Sequence, residues 1–164
     1  MLETFCAWLE RTPLSAAIQN VDWIIPVGQI IHILCLSVVL SSAVLLDFRV
    51  MGLAARRVSI PDMARRFLPW IWTALVLMVL SGTVLIIGEP RRDLLNPAFQ
   101  IKMILLLAAV AMTLMFHVSI HRGARTWEED RKGTLPVRLA AAATLSLWIG
   151  IAICGRLIAY FMAS

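Results

Sequence analysis

The strongest constraint on the fold is a run of 23 residues, Ile24–Leu46, that contains no Asp, Glu, Lys or Arg. At a rise of about 1.5 Å per residue, a helix of this length crosses a bilayer core of roughly 30 Å. One ionisable residue, His32, lies inside the run. Because an ionisable side chain is costly inside a membrane, His32 is a candidate functional residue.

Three further apolar segments have the length of a membrane span, at about 67–88, 97–120 and 139–163. They are rich in Leu, Val, Ile and Ala and lack the alternation typical of strands. The chain is 60% hydrophobic and 15% charged over 164 residues, which is too apolar for a soluble domain of this size. We therefore predict an all-α, four-helix transmembrane bundle formed by one integral membrane domain, residues 1–164.

The basic residues fall mainly in two loops. The loop after the first span holds Arg49, Arg56, Arg57, Arg65 and Arg66, and the loop after the third holds Arg122, Arg125, Arg131, Lys132 and Arg138. The positive-inside rule places both loops in the cytoplasm and both termini in the periplasm of a bacterial inner membrane. The net charge of +5 then reflects membrane topology, so nucleic acid is not expected as a partner.

The segment Met1–Asp22 carries Leu2, Phe5, Trp8 and Leu9 among polar residues. This mixture predicts a short interfacial helix on the outer surface of the membrane. No basic region precedes the first apolar run, so we expect no cleaved signal peptide.

The ends of two spans carry local signals. At the inner end of the first, Asp47 is expected to form an ion pair with Arg49 or with a loop arginine. At the outer end of the third, Asn96 is expected to cap the helix and Pro97 to occupy its first turn.

Three polar residues are expected at one depth in the outer half of the bundle. His32 lies roughly 12 Å from the outer end of its span, Arg156 roughly 10 Å, and Lys102 only a few residues into its helix. Two cations beside a histidine call for an anion, and the nearest carboxylates, Asp22, Glu89 and Asp93, are expected at or beyond the membrane interface. A ligand would then supply the negative charge.

Haem b fits this pattern, because its iron takes an axial imidazole and its propionates pair with Arg or Lys. His32 would bind the iron, while Arg156 and Lys102 would hold the propionates or Lys102 would be the second ligand. Structural interpretations remain open for all three. Arg156 and Lys102 can extend to the outer head groups. His32 can be a core histidine bonded to Ser37, Ser41 or a backbone carbonyl.

His117 lies about 20 residues past Pro97, roughly 30 Å along the third helix, and so near its inner end. It is a further candidate for cofactor binding. Its depth disfavours a haem held by both His32 and His117. With His121, four residues on, it is expected to form an inner site with Asp47, a second pair of haem ligands, or an interfacial histidine pair.

Three stretches together resemble a bacterial family of uncharacterised small integral membrane proteins. They are IIHILCLSVVLSSAVLLDFRVMGL, LNPAFQIKMILLLAAVAMTLMFH and GRLIAYF, within residues 24–162. The chain is also similar, more distantly, to HemJ-type protoporphyrinogen oxidases and to the membrane region of CopD-like copper-resistance proteins. HemJ-type proteins bind b-type haem, and their first-helix histidine and third-helix lysine correspond to His32 and Lys102. The resemblance implies a haem-binding scaffold.

Three functions follow from these patterns. The first is a membrane-embedded haem b electron-transfer subunit that links a periplasmic redox partner to the quinone pool, within a larger oxidoreductase. The second is a HemJ-like oxidase acting as an enzyme alone. The third is a non-redox membrane module for assembly or transport. Expected partners are the lipid bilayer, membrane or periplasmic subunits, and quinone.

Overall fold

The fold is known from a computed structural model that describes residues 1–55, 57–122 and 135–158, except the side chain of His121. The described residues form seven helices and no strand, which confirms the all-α prediction. They are α1 (Leu2–Glu10), α2 (Pro13–Gln19), α3 (Ile24–Met51), α4 (Ile60–Gly88), α5 (Pro90–Leu94), α6 (Pro97–Arg122) and α7 (Leu135–Leu157).

Four of these helices are long and apolar enough to cross a membrane, as predicted. They are Ile24–Val50, Ile60–Gly88, Pro97–Ile120 and Leu135–Leu157. Two begin earlier than the apolar runs do, because local signals extend a helix beyond its membrane-spanning part. At the start of α4, the Ser59 side chain accepts a bond of 3.1 Å from the Asp62 amide, and proline follows in the first turn. Residues 159–163 of the predicted fourth span lie outside the described chain.

The N-terminal segment forms two short helices where one was predicted. Thr12 ends α1 with a side-chain bond to the Leu9 carbonyl, and its Oγ1 accepts a bond of 3.3 Å from the Ser15 amide at the start of α2. Pro13 cannot donate a backbone bond, so the chain breaks here and starts again.

The two short helices are fixed to the end of α4. Ser15 Oγ donates to the Ile87 carbonyl at 2.8 Å, and Gln19 Nε2 donates to the Gly88 carbonyl at 2.8 Å. These are carbonyls of the last turn, which have no partner within the helix. We call the end of the bundle that carries α1, α2 and α5 the capped end, and the other the open end.

The four long helices pack unevenly. α4 packs along α3, α3 along α7, and α7 along α6, whereas α4 and α6 meet only locally. Most of the buried apolar core lies towards the open end, with Val39, Leu46, Ile60 and Ile71 almost completely buried. In the capped half a cavity takes the place of a closed core.

Candidate functional site

The cavity has a volume of about 550 Å³ and is lined by all four long helices and by α5. His32 of α3, Lys102 of α6 and Arg156 of α7 all line it. The three residues singled out in the sequence for their common depth therefore lie around one space. Volumes of about 300–1,000 Å³ are typical of small-molecule and cofactor sites.

His32 and Lys102 are in direct contact across the cavity. Lys102 Nζ lies 3.3 Å from His32 Nε2. On the other side of the ring, His32 Nδ1 lies 3.2 Å from Ser81 Oγ, and Ser81 Oγ donates to the Met78 carbonyl at 3.1 Å. A series of hydrogen bonds thus connects Lys102 of α6, through His32 of α3 and the Ser81 side chain, to the backbone of α4.

When Lys102 is charged, each bond in this series has one direction. A charged lysine has only donors, so His32 Nε2 must accept from Lys102. The neutral imidazole then carries its proton on Nδ1 and donates to Ser81 Oγ, whose own proton goes to Met78. The lone pair of Nε2 consequently points towards Lys102 Nζ at the cavity.

Glycines give the His32–Lys102 pair its space. A Cβ built at Gly82 would lie 3.2 Å from His32 Cε1, and a Cβ built at Gly155 would lie 3.8 Å from Lys102 Nζ. Gly82 therefore allows the imidazole to lie directly against α4. Gly28, which the sequence places one turn before His32, instead admits Leu85 between α3 and α4.

The expectation that the site lacks a protein anion is wrong. Glu89 and Asp93 both line the cavity, because α5 folds back over the capped end. Glu89 forms an ion pair with Arg92, which also lines the cavity. Two carboxylates thus face three cations, so the lining is close to neutral and its need for an anionic ligand is smaller than the sequence suggested.

Asp93 is the more unusual of the two carboxylates. Burial raises the pKa of this carboxyl above its ordinary value of 3.8, and the neighbouring Glu89 acts in the same direction. The cations of Arg92 and Lys102 lower it, but burial has the larger effect. Asp93 and Lys102, which both line the cavity, thus interact electrostatically.

His117 lies outside this cavity. Its Nδ1 accepts a bond of 2.8 Å from Trp72 Nε1, which connects α6 to α4. It is 15 residues past Lys102, roughly 22 Å further along the same helix. The structure does not bring His117 and His32 together, which agrees with the depth expected from the sequence. The His121 side chain lies outside the described residues.

The ion pair expected for Asp47 does not form with any described residue. Asp47 Oδ2 is buried without a hydrogen-bond partner. Arg49 instead donates from Nε to the Val58 carbonyl at 2.5 Å, since residues two apart on a helix point to different sides. Arg49 thus holds the α3–α4 connection rather than neutralising Asp47.

A family model of proteins of unknown function, DUF6644, matches residues 6–161. The chain belongs to this family. The match covers all four candidate spans and every cavity residue named above, so the cavity lies within the unit that defines the family. This agrees with the resemblance to an uncharacterised membrane family.

Searches of curated proteins and of solved structures found no match. Similarity to HemJ-type or CopD-like proteins is therefore not shown, and a haem function rests on the residues of this chain.

Sequence reasoning missed four of the residues that build the site. Ser81 and Gly82 stand in the middle of an apolar run as Ser81-Gly82-Thr83, and small residues at such a place indicate close helix contact. Glu89 and Asp93 were visible, but no sequence pattern showed that the five-residue helix α5 would turn them towards the cavity.

Proposed function

We propose that this protein is a membrane-embedded haem b-binding subunit that transfers electrons, with His32 as the ligand to the haem iron. The observation that carries the proposal is the His32–Lys102 pair. Its two nitrogens face each other at 3.3 Å within a cavity of about 550 Å³. An imidazole whose lone pair faces such a space is the usual protein ligand of a haem iron.

The residues present fit this group. His32 Nε2 and Lys102 Nζ, which lie 3.3 Å apart at the cavity, would hold the iron. Lys102 would have to lose its proton to serve as the second ligand. Gly82 and Gly155 keep the space beside both nitrogens free of a Cβ.

Each residue has a distinct role in this proposal. Ser81 and the Met78 carbonyl hold His32 in the tautomer whose Nε2 carries no proton, so that Nε2 could bind a metal once Lys102 withdraws. Arg156 and Arg92, which line the cavity near the capped end, would pair with carboxylates of the ligand. Haem supplies one-electron transfer when bound, and the chain supplies its position, its dry surroundings and its charge balance.

The orientation in the membrane is part of the proposal. The cytoplasmic side would be the open end, because basic residues at the ends of the long helices lie there: Arg49, Arg65, Arg66, Arg122 and Arg138. The capped end and both termini would then face the periplasm of a bacterial inner membrane. A periplasmic redox protein would exchange electrons at the capped end, and quinone within the bilayer would be the second partner.

A second candidate is a non-redox membrane module for assembly or transport. The near-neutral lining of the cavity favours it, because Glu89 and Asp93 already balance two of the three cations. In that case the His32–Lys102–Asp93 group would be a structural polar cluster without a bound cofactor.

An absorption spectrum of the purified protein separates the two candidates. The protein is produced in cells supplied with a haem precursor, and spectra are recorded before and after addition of dithionite. The haem proposal predicts a Soret band that shifts on reduction. A colourless protein with an intact helical circular-dichroism spectrum contradicts it and favours the non-redox module.

A further inference from the structure

We infer that the cavity opens sideways into the bilayer between α4 and α6, so that its ligand enters from the lipid phase. The inference rests on the proposed function for the identity of that ligand, haem. It adds the route of entry and thereby the class of molecule that the site can accept: a lipid-soluble amphiphile with polar groups at one edge.

The packing of the long helices leaves one weak seam. α4 is held by α3, and α6 is held by α7, but α4 and α6 approach each other only locally. Within the described residues, α3 and α6 make no close backbone contact either. The His32–Lys102 contact therefore bridges two helices whose backbones stand apart, and the space between them is the cavity.

The residues at this seam both line the cavity and face outwards. They are Val79 and Thr83 on α4, and Met103 on α6. Val79 is 53% exposed and Met103 is 38% exposed, although both belong to the cavity wall. Since these positions lie within candidate membrane spans, the medium that they face would be lipid.

The charged lining residues lie towards the capped end of the cavity. Glu89, Arg92 and Asp93 line that side, whereas Leu36 and Leu106 lie one turn deeper than His32 and Lys102. An entering molecule would keep its polar edge towards α5 and its apolar body towards the lipid.

The test measures the rate at which haem enters the protein from lipid. Protein without haem is placed in lipid nanodiscs, and haem is supplied in phosphatidylcholine vesicles. Thr83→Trp places a large ring at the seam and is expected to slow the growth of the Soret band at least about tenfold. Val76→Trp is the matched control, because Val76 lies two turns away on the same face of α4, is 58% exposed and does not line the cavity. Its rate is expected to equal that of the wild type.

Equal rates in Thr83→Trp and Val76→Trp overturn the inference. Ile33→Trp tests the opposite wall, since Ile33 lines the cavity from α3 and is 60% exposed. Slower loading in Ile33→Trp, with normal loading in Thr83→Trp, also overturns it and places the entrance between α3 and α7.

A measurement without haem keeps the two proposals separable. Met103→Cys is introduced into a variant whose Cys6, Cys35 and Cys154 are replaced by alanine, and the new cysteine is spin-labelled. The relaxation of the label by oxygen is then compared with its relaxation by a water-soluble nickel chelate. The lateral entrance predicts strong relaxation by oxygen and weak relaxation by nickel. Arg91→Cys, on the exposed surface of α5, is the control that nickel reaches. Strong nickel relaxation at Met103 overturns the lateral entrance, whereas the absence of a Soret band in every variant contradicts only the haem proposal.

Discussion

Lys102 Nζ lies 3.3 Å from His32 Nε2 and connects α6 to α3 across the cavity. Lysine is rare within membrane spans, and here it meets a histidine whose other nitrogen is held by Ser81. The imidazole is therefore held against α4 through Ser81. On the other side of the pair, Gly155 of α7 lies beside the amine of Lys102.

Replacing Lys102 tests its place as the second ligand. Lys102→Leu removes the amine but leaves His32, so haem is expected to remain bound with one open coordination position. The reduced variant should then bind carbon monoxide, which the wild type should resist. Arg66→Leu is the control, because Arg66 is an exposed cation at the opposite end of α4. Carbon monoxide binding that is equal in all three proteins would exclude Lys102 as a ligand.

A methyl group at Gly82 tests the space beside the imidazole. Gly82→Ala would bring a Cβ to 3.2 Å from His32 Cε1, and Gly150→Ala would bring one to the same distance from Leu105 Cδ1, away from the cavity. In both variants the higher helix propensity of alanine contributes up to about 1 kcal/mol to stability, and the new Cβ meets a side chain at a similar distance. Their thermal midpoints should therefore agree closely. Only Gly82→Ala should lower the haem content of the purified protein. An equal loss of haem from both variants would mean that the added methyl group disturbs the fold in general and not the space beside His32.

Asp93 gives the protein a pH dependence of known sign. Its pKa is raised in the folded state, so the folded protein binds this proton more tightly than the unfolded chain does. Stability contributed by the protonated form is therefore lost as pH rises from the ordinary value of 3.8 through the folded pKa. Thermal midpoints measured from about pH 4 to about pH 7 should fall less in Asp93→Asn than in the wild type. An equal fall in both proteins would contradict this role of Asp93.

The buried Asp47 is expected to cost stability. Its Oδ2 has no hydrogen-bond partner, and an unsatisfied buried polar atom costs about 1–3 kcal/mol. Asp47→Leu should therefore raise the thermal midpoint in detergent. Asp62→Leu should lower it, because Asp62 accepts from Ser59 and pairs with Arg65 at the start of α4. A lower midpoint in Asp47→Leu would show that the carboxyl has a partner in the membrane.

Hydropathy predicted the four spans because membrane insertion depends on the length and apolar composition of a segment. Both properties can be read directly from a single amino-acid sequence. It also gave the common depth of His32, Lys102 and Arg156, since depth follows from the rise of a helix. The prediction for the capped end failed in two places. The break at Thr12-Pro13 divides the N-terminal segment, and α5 returns Glu89 and Asp93 to the cavity.

Those features could not be predicted because they depend on contacts between distant parts of the chain. Ser15 and Gln19 fix α2 to carbonyls of α4 some 70 positions away, and this places the covering layer over the bundle. Asn96 and Pro97, by contrast, act on their own helix, and the predicted cap is confirmed by the 2.9 Å bond from the Ala98 amide to Asn96 Oδ1.

The most direct test of the central claim is the haem content of His32→Ala compared with His117→Ala. Both variants remove one imidazole from a membrane helix, but only His32 lines the cavity. The proposal predicts that His32→Ala is purified without a Soret band and that His117→Ala retains the wild-type band and its shift on reduction. A His32→Ala protein that keeps its full haem content would contradict the proposal.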